Sequence, residues 1–380
     1  MQGKSTRRSF FRLKYERQAN RMRADHKQRM PCIMSELRQN PITKDWVIIA
    51  PERSKRPDQF RHHKVQGKAT KQDMEERVTC PFCPGNEESC GEAVLTYYQE
   101  GSGKGGQPKW SLRVVPNKFP ALVEGKEKSR ITEGAGNFFI RMNGVGYHEV
   151  VIEHPEHFQT IATMPLEAVE GIISSYIERY QVLIDRPGVE LITIFRNNGP
   201  RAGTSLRHPH SQIIASPIIP IQIRHVIEEA VRYFDTTGKC IYCNMIEQER
   251  SLGKRIISET EHFVALAPFF SRSPFETWIL PNKHRASFAK TSDMEKKDLA
   301  GVLTDIISRL YKGLGDPDYN YMIHSTPYQE DPADYYHWHL QILPKLYEVA
   351  GFELGSSIYL NTTNPEENAR YLKEIKTDIS

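Results

Sequence analysis

The 380-residue sequence lacks the features that mark a membrane, secreted or nucleic-acid-binding protein. No apolar run approaches the roughly 18 residues of a membrane span, and no basic segment leads into an apolar one as in a secretion signal. The net charge is only +4, and much of the positive charge lies before residue 30. The rest of the chain is near neutral, so we expect a cytoplasmic protein that binds neither membrane nor nucleic acid.

Cysteine is scarce as well, with six residues in the whole chain. A secreted disulfide framework would be denser and the chain shorter. Four of the six form two CxxC pairs, Cys80 with Cys83 and Cys240 with Cys243. In a reducing compartment this spacing indicates metal binding.

The first 33 residues are basic and differ in composition from the rest. They could form a transit-like or nucleic-acid-binding tail. We interpret residues 1–33 as a disordered extension instead, because Met34 would make a natural start.

The segment from Arg207 to Ala215 has two histidines around a proline, then a glutamine, and continues into apolar residues. This pattern predicts a strand, in which residues two apart share a face. We therefore expect His208, His210 and Gln212 to project together. A solvated polar face is the structural alternative, but Ile213–Ala215 predicts a strand buried on both faces, where histidines need partners.

The HxHxQ pattern returns at His337, and the order of the surrounding features returns with it. Each half presents CxxC, strands, one helix of about 20 residues, a strand, a loop and the histidine strand. Apolar spacing places the long helices at Leu166–Leu183 and about Ser292–Leu314. The repeat predicts a duplicated α+β fold, mostly antiparallel sheet with one long helix per half. We expect the halves to be residues 34–216 and 217–380.

Each CxxC pair can supply two thiolates to a tetrahedral zinc site, which needs two further ligands. In the first half His208 is one candidate, and the other is open among three histidines, His148, His154 and His157. The second half offers two cysteines and two histidines: Cys240, Cys243, His284 and His337. The alternative is that the cysteines are small buried apolar residues. Closed sites of this kind would be structural and would fix each histidine strand.

If a metal holds His208, the imidazole of His210 is available for chemistry. Its reference pKa of about 6.5 leaves much of it neutral and nucleophilic at pH 7. A histidine nucleophile would divide nucleotidyl transfer into two in-line steps, and the amide of Gln212 could donate to the developing phosphoryl charge. Other groups could hold phosphate through side chains or backbone N–H groups: Ser205, Arg53, Arg56, Gly199 and Gly203.

At these residues the chain resembles the galactose-1-phosphate uridylyltransferase family of the histidine triad superfamily, and its second CxxC resembles a two-zinc branch that includes ADP-glucose phosphorylase-like enzymes. The resemblance covers nearly everything from Leu37 onward and implies two histidine-triad-like domains. It rests on these segments: Asn40–Thr43 with Trp46, Arg53–Pro57, Cys80–Cys83, Val115–Pro120, Pro155–His157, the HPHSQ strand, Pro274–Glu276 and Gly351–Glu353.

The resemblance implies a UDP-glucose:hexose-1-phosphate uridylyltransferase that works by ping-pong transfer. His210 would attack the α-phosphorus of UDP-glucose and release glucose 1-phosphate, and galactose 1-phosphate would then take the uridylyl group. Gln212 and Ser205 would contact the phosphoryl group. The match to the family's Pro-Glu-His turn implies that His157 is the remaining zinc ligand beside Cys80, Cys83 and His208.

The resemblance also implies a homodimer with its sites near the subunit interface. It assigns further residues to the nucleotide, the phosphates and the hexose: Arg53, Arg56, Asn117, Asn197 and Glu353.

Two departures from the family pattern concern the hexose. Many members have a glutamine shortly after the residue matching Glu353, whereas Gly355–Tyr359 contains none, and the expected lysine before the motif is replaced at best by Lys345. An adenylyl donor with phosphate as acceptor is therefore the close alternative. Two others are a non-catalytic, zinc-structured nucleotide-binding module and a hydrolase of nucleoside phosphoramidates.

Overall fold

The computed structural model describes residues 35–51, 71–101, 109–125, 129–327 and 333–377. The basic N-terminal extension, Arg53 and Arg56 therefore lie outside the described residues. The described part contains seven α-helices: α1 (Lys71–Thr79), α2 (Leu166–Ile184), α3 (Ile221–Thr237), α4 (Ile241–Leu252), α5 (Asp293–Leu314), α6 (Gly351–Ser356) and α7 (Pro365–Glu374). Across these same ranges, no helix combines the length and apolar character needed to cross a membrane.

The strands of the described residues form one large sheet and two small ones. Their bounds are as follows: β1 (Glu36–Gln39), β2 (Trp46–Ile49), β3 (Leu95–Tyr98), β4 (Trp110–Pro116), β5 (Arg130–Glu133), β6 (Phe139–Met142), β7 (Tyr147–Ile152), β8 (Leu191–Asn198), β9 (His210–Ser216), β10 (Ile256–Glu259), β11 (Phe263–Leu266), β12 (Thr277–Pro281), β13 (Tyr319–His324), β14 (His339–Pro344) and β15 (Tyr359–Asn361).

The large sheet has ten strands in the order β10-β11-β12-β14-β13-β8-β9-β7-β4-β3. Every pairing in it is antiparallel. Counted from its centre outward, each half contributes five strands in the same relative order, so β9 matches β14 and β7 matches β12. The duplicated α+β fold predicted from the sequence repeat is confirmed.

The two long helices lie together against one face of this sheet. α2 follows Pro165, whose missing N–H costs nothing at a helix start. α5 begins at a capping box in which Ser292 accepts from the Glu295 N–H and the Glu295 carboxylate accepts from the Ser292 N–H. Apolar residues of both helices and of β9, β13 and β14 form one core. Because this face is filled, the site must lie on the opposite face.

The small three-stranded sheet joins the two ends of the described chain. β1 and β2 form a hairpin, and β15 adds to β2 in parallel. The buried guanidinium of Arg38 bonds to the carboxylate of Glu366 on α7 at 3.0 Å, and Arg255 bonds to the same carboxylate. Both arginines also lie over the ring of Phe269. These charge-assisted bonds fix the hairpin to the second half of the chain.

Two details of the fold differ from the sequence expectation. The second CxxC lies at the start of α4, a helix that the apolar pattern did not indicate. β9 begins at His210, so His208 precedes the strand, and the strand alternates between buried residues and half-buried ones such as Gln212 and Ile214. It is therefore not buried on both faces, because the face bearing Gln212 carries the site.

The packing of α5 gives a stability prediction. Leu303 is fully buried in the shared core, whereas Met294, on the same helix, is 69% exposed. We expect Leu303→Ala to lower the free energy of unfolding by about 2–5 kcal/mol through lost burial and a residual cavity. Met294→Ala should change it by less than about 0.5 kcal/mol. Urea unfolding of both variants checks this, and equal midpoints would contradict the described packing.

Candidate active site

His210 is held in one tautomer by the backbone. Its Nδ1 lies 2.8 Å from the carbonyl oxygen of His208, and a carbonyl can only accept, so Nδ1 carries the ring hydrogen. Nε2 of the neutral ring then keeps its lone pair. Burial lowers the pKa of His210, which favours the neutral form. The ring of Phe82 meets this imidazole edge-on at a centroid distance of 5.4 Å and limits its rotation.

The first metal-ligand cluster includes His208, two residues before His210 in the chain. Its other members are Cys80, Cys83 and His157. All four side chains are buried, and their ligand atoms lie within 4.8 Å of one another. Cys83 Sγ is 3.3 Å from His157 Nδ1 and 3.5 Å from His208 Nδ1. Zinc–sulfur and zinc–nitrogen bonds at tetrahedral angles would separate these atoms by about 3.6 Å. The set can therefore hold a tetrahedral metal ion.

The protonation states of the histidine and cysteine side chains in this first cluster also suit the binding of a metal ion. His208 Nε2 lies 2.7 Å from the backbone oxygen of His154, so Nε2 carries the hydrogen and the Nδ1 lone pair faces the sulfurs. Burial lowers the pKa of His208 to about 4, which keeps the ring neutral. Burial, together with the neighbouring Cys80, raises the pKa of Cys83 to about 12. A cation between the two sulfurs would supply the charge that favours both thiolates.

The second cluster repeats this arrangement in the other half of the sheet. Cys243 Sγ is 3.3 Å from His284 Nδ1 and 3.5 Å from His337 Nδ1. The Nε2 atoms of both histidines lie near backbone oxygens, at 3.1 Å and 3.0 Å. A hydrogen bond from Cys243 lowers the pKa of Cys240 to about 3. The four residues that can hold a metal here are Cys240, Cys243, His284 and His337.

Gln212 shares the face of β9 with His210, and its amide is bonded to a histidine. His148 Nδ1 accepts from the Ala121 N–H at 3.0 Å, and His148 Nε2 lies 2.8 Å from Gln212 Oε1. Asn117 adjoins this pair, with its Nδ2 3.1 Å from His148 Nε2. The predicted residues Asn117 and Gln212 are thus brought together through His148.

The glycine loop between β8 and the histidine strand is held from the other half of the molecule. Asn320 Nδ2 donates to Asn197 Oδ1 at 2.8 Å and to the Ala202 carbonyl at 2.9 Å. The carboxylate of Asp318 accepts from the Arg201 N–H at 2.7 Å. Ser205 is exposed near the end of this loop. Residues of β13 and the turn before it therefore shape the loop that leads to His210.

The corresponding face of the second half has a cavity of about 560 Å³ lined in part by His339 and Gln341. The His339 ring is stacked between Trp278, at a centroid distance of 4.3 Å, and His324, at 4.7 Å. Gln341 Nε2 donates to Glu276 at 2.7 Å, and Gln341 Oε1 accepts from His324 at 2.9 Å. In this half both faces of the His339 ring are covered, and the Gln341 amide is hydrogen-bonded to the Glu276 carboxylate.

The structure brings most of the sequence-predicted residues into two clusters and one strand face. Of the three histidines that spacing left open, the structure places His157, the one that the resemblance implied, at the first cluster; His148 lies at Gln212, and the backbone oxygen of His154 lies against His208. Because His208 precedes β9, it turns towards the cysteines instead of sharing the face of His210. Glu353 lies on α6, where it accepts from the Ala350 N–H at 3.2 Å.

Two residues of the site were missed from the sequence. Phe82 could have been found, because it lies between two candidate ligands and must be close to His208. Asn320 gives no such signal, because its contact with Asn197 depends on the pairing of β13 with β8.

The chain matches known proteins over most of its length. The family model for the N-terminal domain of galactose-1-phosphate uridyl transferase matches residues 23–220, and the model for its C-terminal domain matches residues 226–377. ADP-glucose phosphorylase of Arabidopsis thaliana is 35% identical over 90% of this chain and 93% of its own. Galactose-1-phosphate uridylyltransferase of Thermotoga maritima is 32% identical over 91% of this chain and all of its own.

Solved structures of an ADP-glucose phosphorylase and a uridylyltransferase also match the chain over most of its length. The crystal structure of an ADP-glucose phosphorylase from Arabidopsis thaliana with bound ADP-glucose matches with a TM-score of 0.73 and 32% identity, covering 90% of this chain and 100% of that one. A uridylyltransferase structure matches with a TM-score of 0.66 and 27% identity, covering 90% and 97%.

The glycine loop gives a testable prediction. Gly199 has φ +88° and ψ 160°, and a Cβ there would meet the Asp318 carboxylate at 2.1 Å, whereas Gly91, in the same backbone region at φ +76° and ψ −171°, has open space. Both alanine variants must adopt a backbone conformation that is essentially restricted to glycine, at a cost of about 1–3 kcal/mol. Only Gly199→Ala must also displace Asp318, so we expect it to lose more stability than Gly91→Ala. Thermal unfolding compares them, and an equal loss would show that the loop yields freely.

Proposed function

The chain belongs to the galactose-1-phosphate uridyl transferase family, and from this we propose that it is a UDP-glucose:hexose-1-phosphate uridylyltransferase that works through His210. In the first step Nε2 attacks the α-phosphorus, the bond to the bridging oxygen breaks, and glucose 1-phosphate leaves. In the second step a phosphate oxygen of the acceptor hexose 1-phosphate attacks the same phosphorus, and the P–N bond breaks to restore His210.

The observation that carries this proposal is the hydrogen bond from His210 Nδ1 to the His208 carbonyl at 2.8 Å. It directs the lone pair to Nε2, and in the covalent intermediate the same carbonyl can stabilise the positive charge on the ring. His208 is held in turn by the first cluster, so the nucleophile is fixed before substrate binds. Preorganisation of this kind lowers the barrier to in-line attack.

Other groups would bind the substrates. Gln212 and Ser205 would contact the phosphoryl oxygens, where hydrogen-bond donors stabilise the developing charge. We assign the remaining substrate contacts to residues of the described loops, to α6 and to two arginines outside the described residues: Asn117, Asn197, Glu353, Arg53 and Arg56. We also propose a cytoplasmic homodimer, as the family resemblance implies.

An adenylyl donor with phosphate as acceptor is the second candidate. It is favoured by the 35% identity to an ADP-glucose phosphorylase and by the absence of a glutamine in Gly355–Tyr359, after Glu353. The chemistry at His210 would be unchanged, because both donors present an α-phosphorus flanked by a nucleoside and a sugar phosphate.

Zinc is the metal that best suits both clusters. Two thiolates and two imidazoles at tetrahedral spacing are the donors of structural zinc sites, and four protein ligands leave no open position for substrate. The residues that would hold it are Cys80, Cys83, His157 and His208 in the first cluster, and Cys240, Cys243, His284 and His337 in the second. Zinc here would fix the two histidine strands and supply no reacting group.

A covalent adduct tests the catalytic proposal. We expect the enzyme mixed with UDP-glucose, without acceptor, to gain the mass of one uridylyl group on His210, measured by intact-protein and peptide mass spectrometry. His210→Asn should form no adduct, because an amide is not nucleophilic. His339→Asn should still form it, because His339 is stacked between Trp278 and His324. Adduct formation by His210→Asn would overturn the assignment.

The same experiment separates the alternatives. Labelling by ADP-glucose but not UDP-glucose would select the adenylyl donor, and rapid loss of the label to water would indicate a hydrolase. No label from either donor, with His210→Asn behaving as the wild type in nucleotide binding, would indicate a non-catalytic module.

Metal content tests the zinc proposal. We expect two zinc ions per chain by inductively coupled plasma mass spectrometry, and one fewer in Cys83→Ser or in Cys243→Ser, because serine is a poor zinc ligand. Cys90→Ser is the matched control, because the Cys90 thiol donates to the Pro81 carbonyl and lies outside both clusters. Full zinc content in Cys83→Ser would contradict the first site.

A further inference from the structure

We propose that His148 is a positioning residue that determines which end of the Gln212 amide faces the phosphoryl group. The inference rests on the proposed function, in which Gln212 donates to the phosphoryl oxygens. A glutamine side chain can present its oxygen or its nitrogen to a ligand, and only the nitrogen can donate. The enzyme therefore needs a contact that turns the Gln212 amide oxygen away from the phosphoryl group.

The hydrogen bonds around His148 supply that contact. The Ala121 N–H can only donate, so the ring nitrogen that it meets at 3.0 Å, Nδ1, must accept. The hydrogen of the neutral imidazole is therefore on Nε2, which lies 2.8 Å from Gln212 Oε1. Asn117 Nδ2, 3.1 Å from the same ring nitrogen, is also a donor, because Asn117 Oδ1 accepts from the Phe119 N–H, so it contacts Nε2 without a hydrogen bond. A donor at this place can bond the amide oxygen but not the amide nitrogen.

The orientation of Gln212 follows from this chain of bonds. With the Gln212 Oε1 atom held by His148, the two hydrogens of the Gln212 Nε2 atom point to the opposite side. Among the described residues, none accepts a hydrogen bond from this nitrogen. The amide therefore presents its donor end on the face of β9 that bears His210, and a phosphoryl oxygen would complete its hydrogen bonding.

The second half of the sheet shows the reverse arrangement at the matching position. Val150 pairs with Gln212, and Trp278 pairs with Gln341. The residue two places before each is His148 in the first half and Glu276 in the second. Glu276 is an acceptor and binds the nitrogen end of Gln341 at 2.7 Å. A donor in one half and an acceptor in the other thus orient equivalent glutamines in opposite ways.

Two substitutions at residue 148 separate the functions of the two ring nitrogens. In His148→Gln the side-chain NH₂ can stand near the place of Nε2 and donate to Gln212. In His148→Asn the shorter side chain can accept from Ala121 but does not reach Gln212. We expect His148→Asn to slow adduct formation in a single turnover by roughly 10- to 100-fold, as for other residues that orient a functional group. His148→Gln should retain most of the rate.

A double-mutant cycle supplies the second readout. If His148 acts only through Gln212, adding His148→Asn to Gln212→Ala should slow adduct formation no further than Gln212→Ala alone. Additive losses, or a wild-type rate in His148→Asn, would overturn the inference. The unfolding midpoint of each variant shows whether it folds. Absence of an adduct in the wild type would refute the proposed function instead, so the two failures are distinguishable.

Discussion

The ten strands form one sheet because β8 pairs with β13 in antiparallel register from Tyr319 opposite Asn198 to Ile323 opposite Ile194. This ladder is the only seam between the two five-stranded halves within that sheet. Behind it, the hydroxyl groups of Tyr176 and Tyr321 are 2.5 Å apart in the buried core. Because this register places Asn320 opposite Asn197, Asn320 can hold the loop that leads to His210. The second half is therefore part of the first half's site.

The two halves share a backbone but differ in the polar partners of one histidine and one glutamine. In the first half the buried imidazole of His210 meets the edge of Phe82, and a histidine donates to Gln212. In the second half His339 is covered on both ring faces and a carboxylate binds Gln341. A buried carboxylate repels phosphate, because like charges at short range are costly in a low dielectric. Both copies thus have a group of two cysteines and two histidines that can hold a metal, whereas the surroundings of the strand histidine differ.

Much of the architecture could be predicted because it depends on local patterns. Apolar residues at helical spacing predicted α2 and α5 closely, since a helix of that length must bury one face. The repeated order of CxxC, helix and HxHxQ predicted the duplication, since equal patterns fold into equal units. α4 was missed because its CxxC was interpreted only as a ligand pair. The face of β9 was assigned wrongly for His208 because a strand's first residue cannot be read from alternation alone.

The sequence by itself determined the ligand types, the nucleophile candidate and the fold class, because these depend on residue chemistry and on spacings of a few positions. Spacing alone left the fourth member of the first cluster open among His148, His154 and His157; the family resemblance favoured His157, and the tertiary structure brings that residue to the cluster. The choice depends on where β7 and the turn after it lie against β9, and that position is set by packing between residues far apart in the chain. The tautomers of His148 and His210 were decided in the same way, by backbone groups that only the folded chain brings within hydrogen-bonding distance.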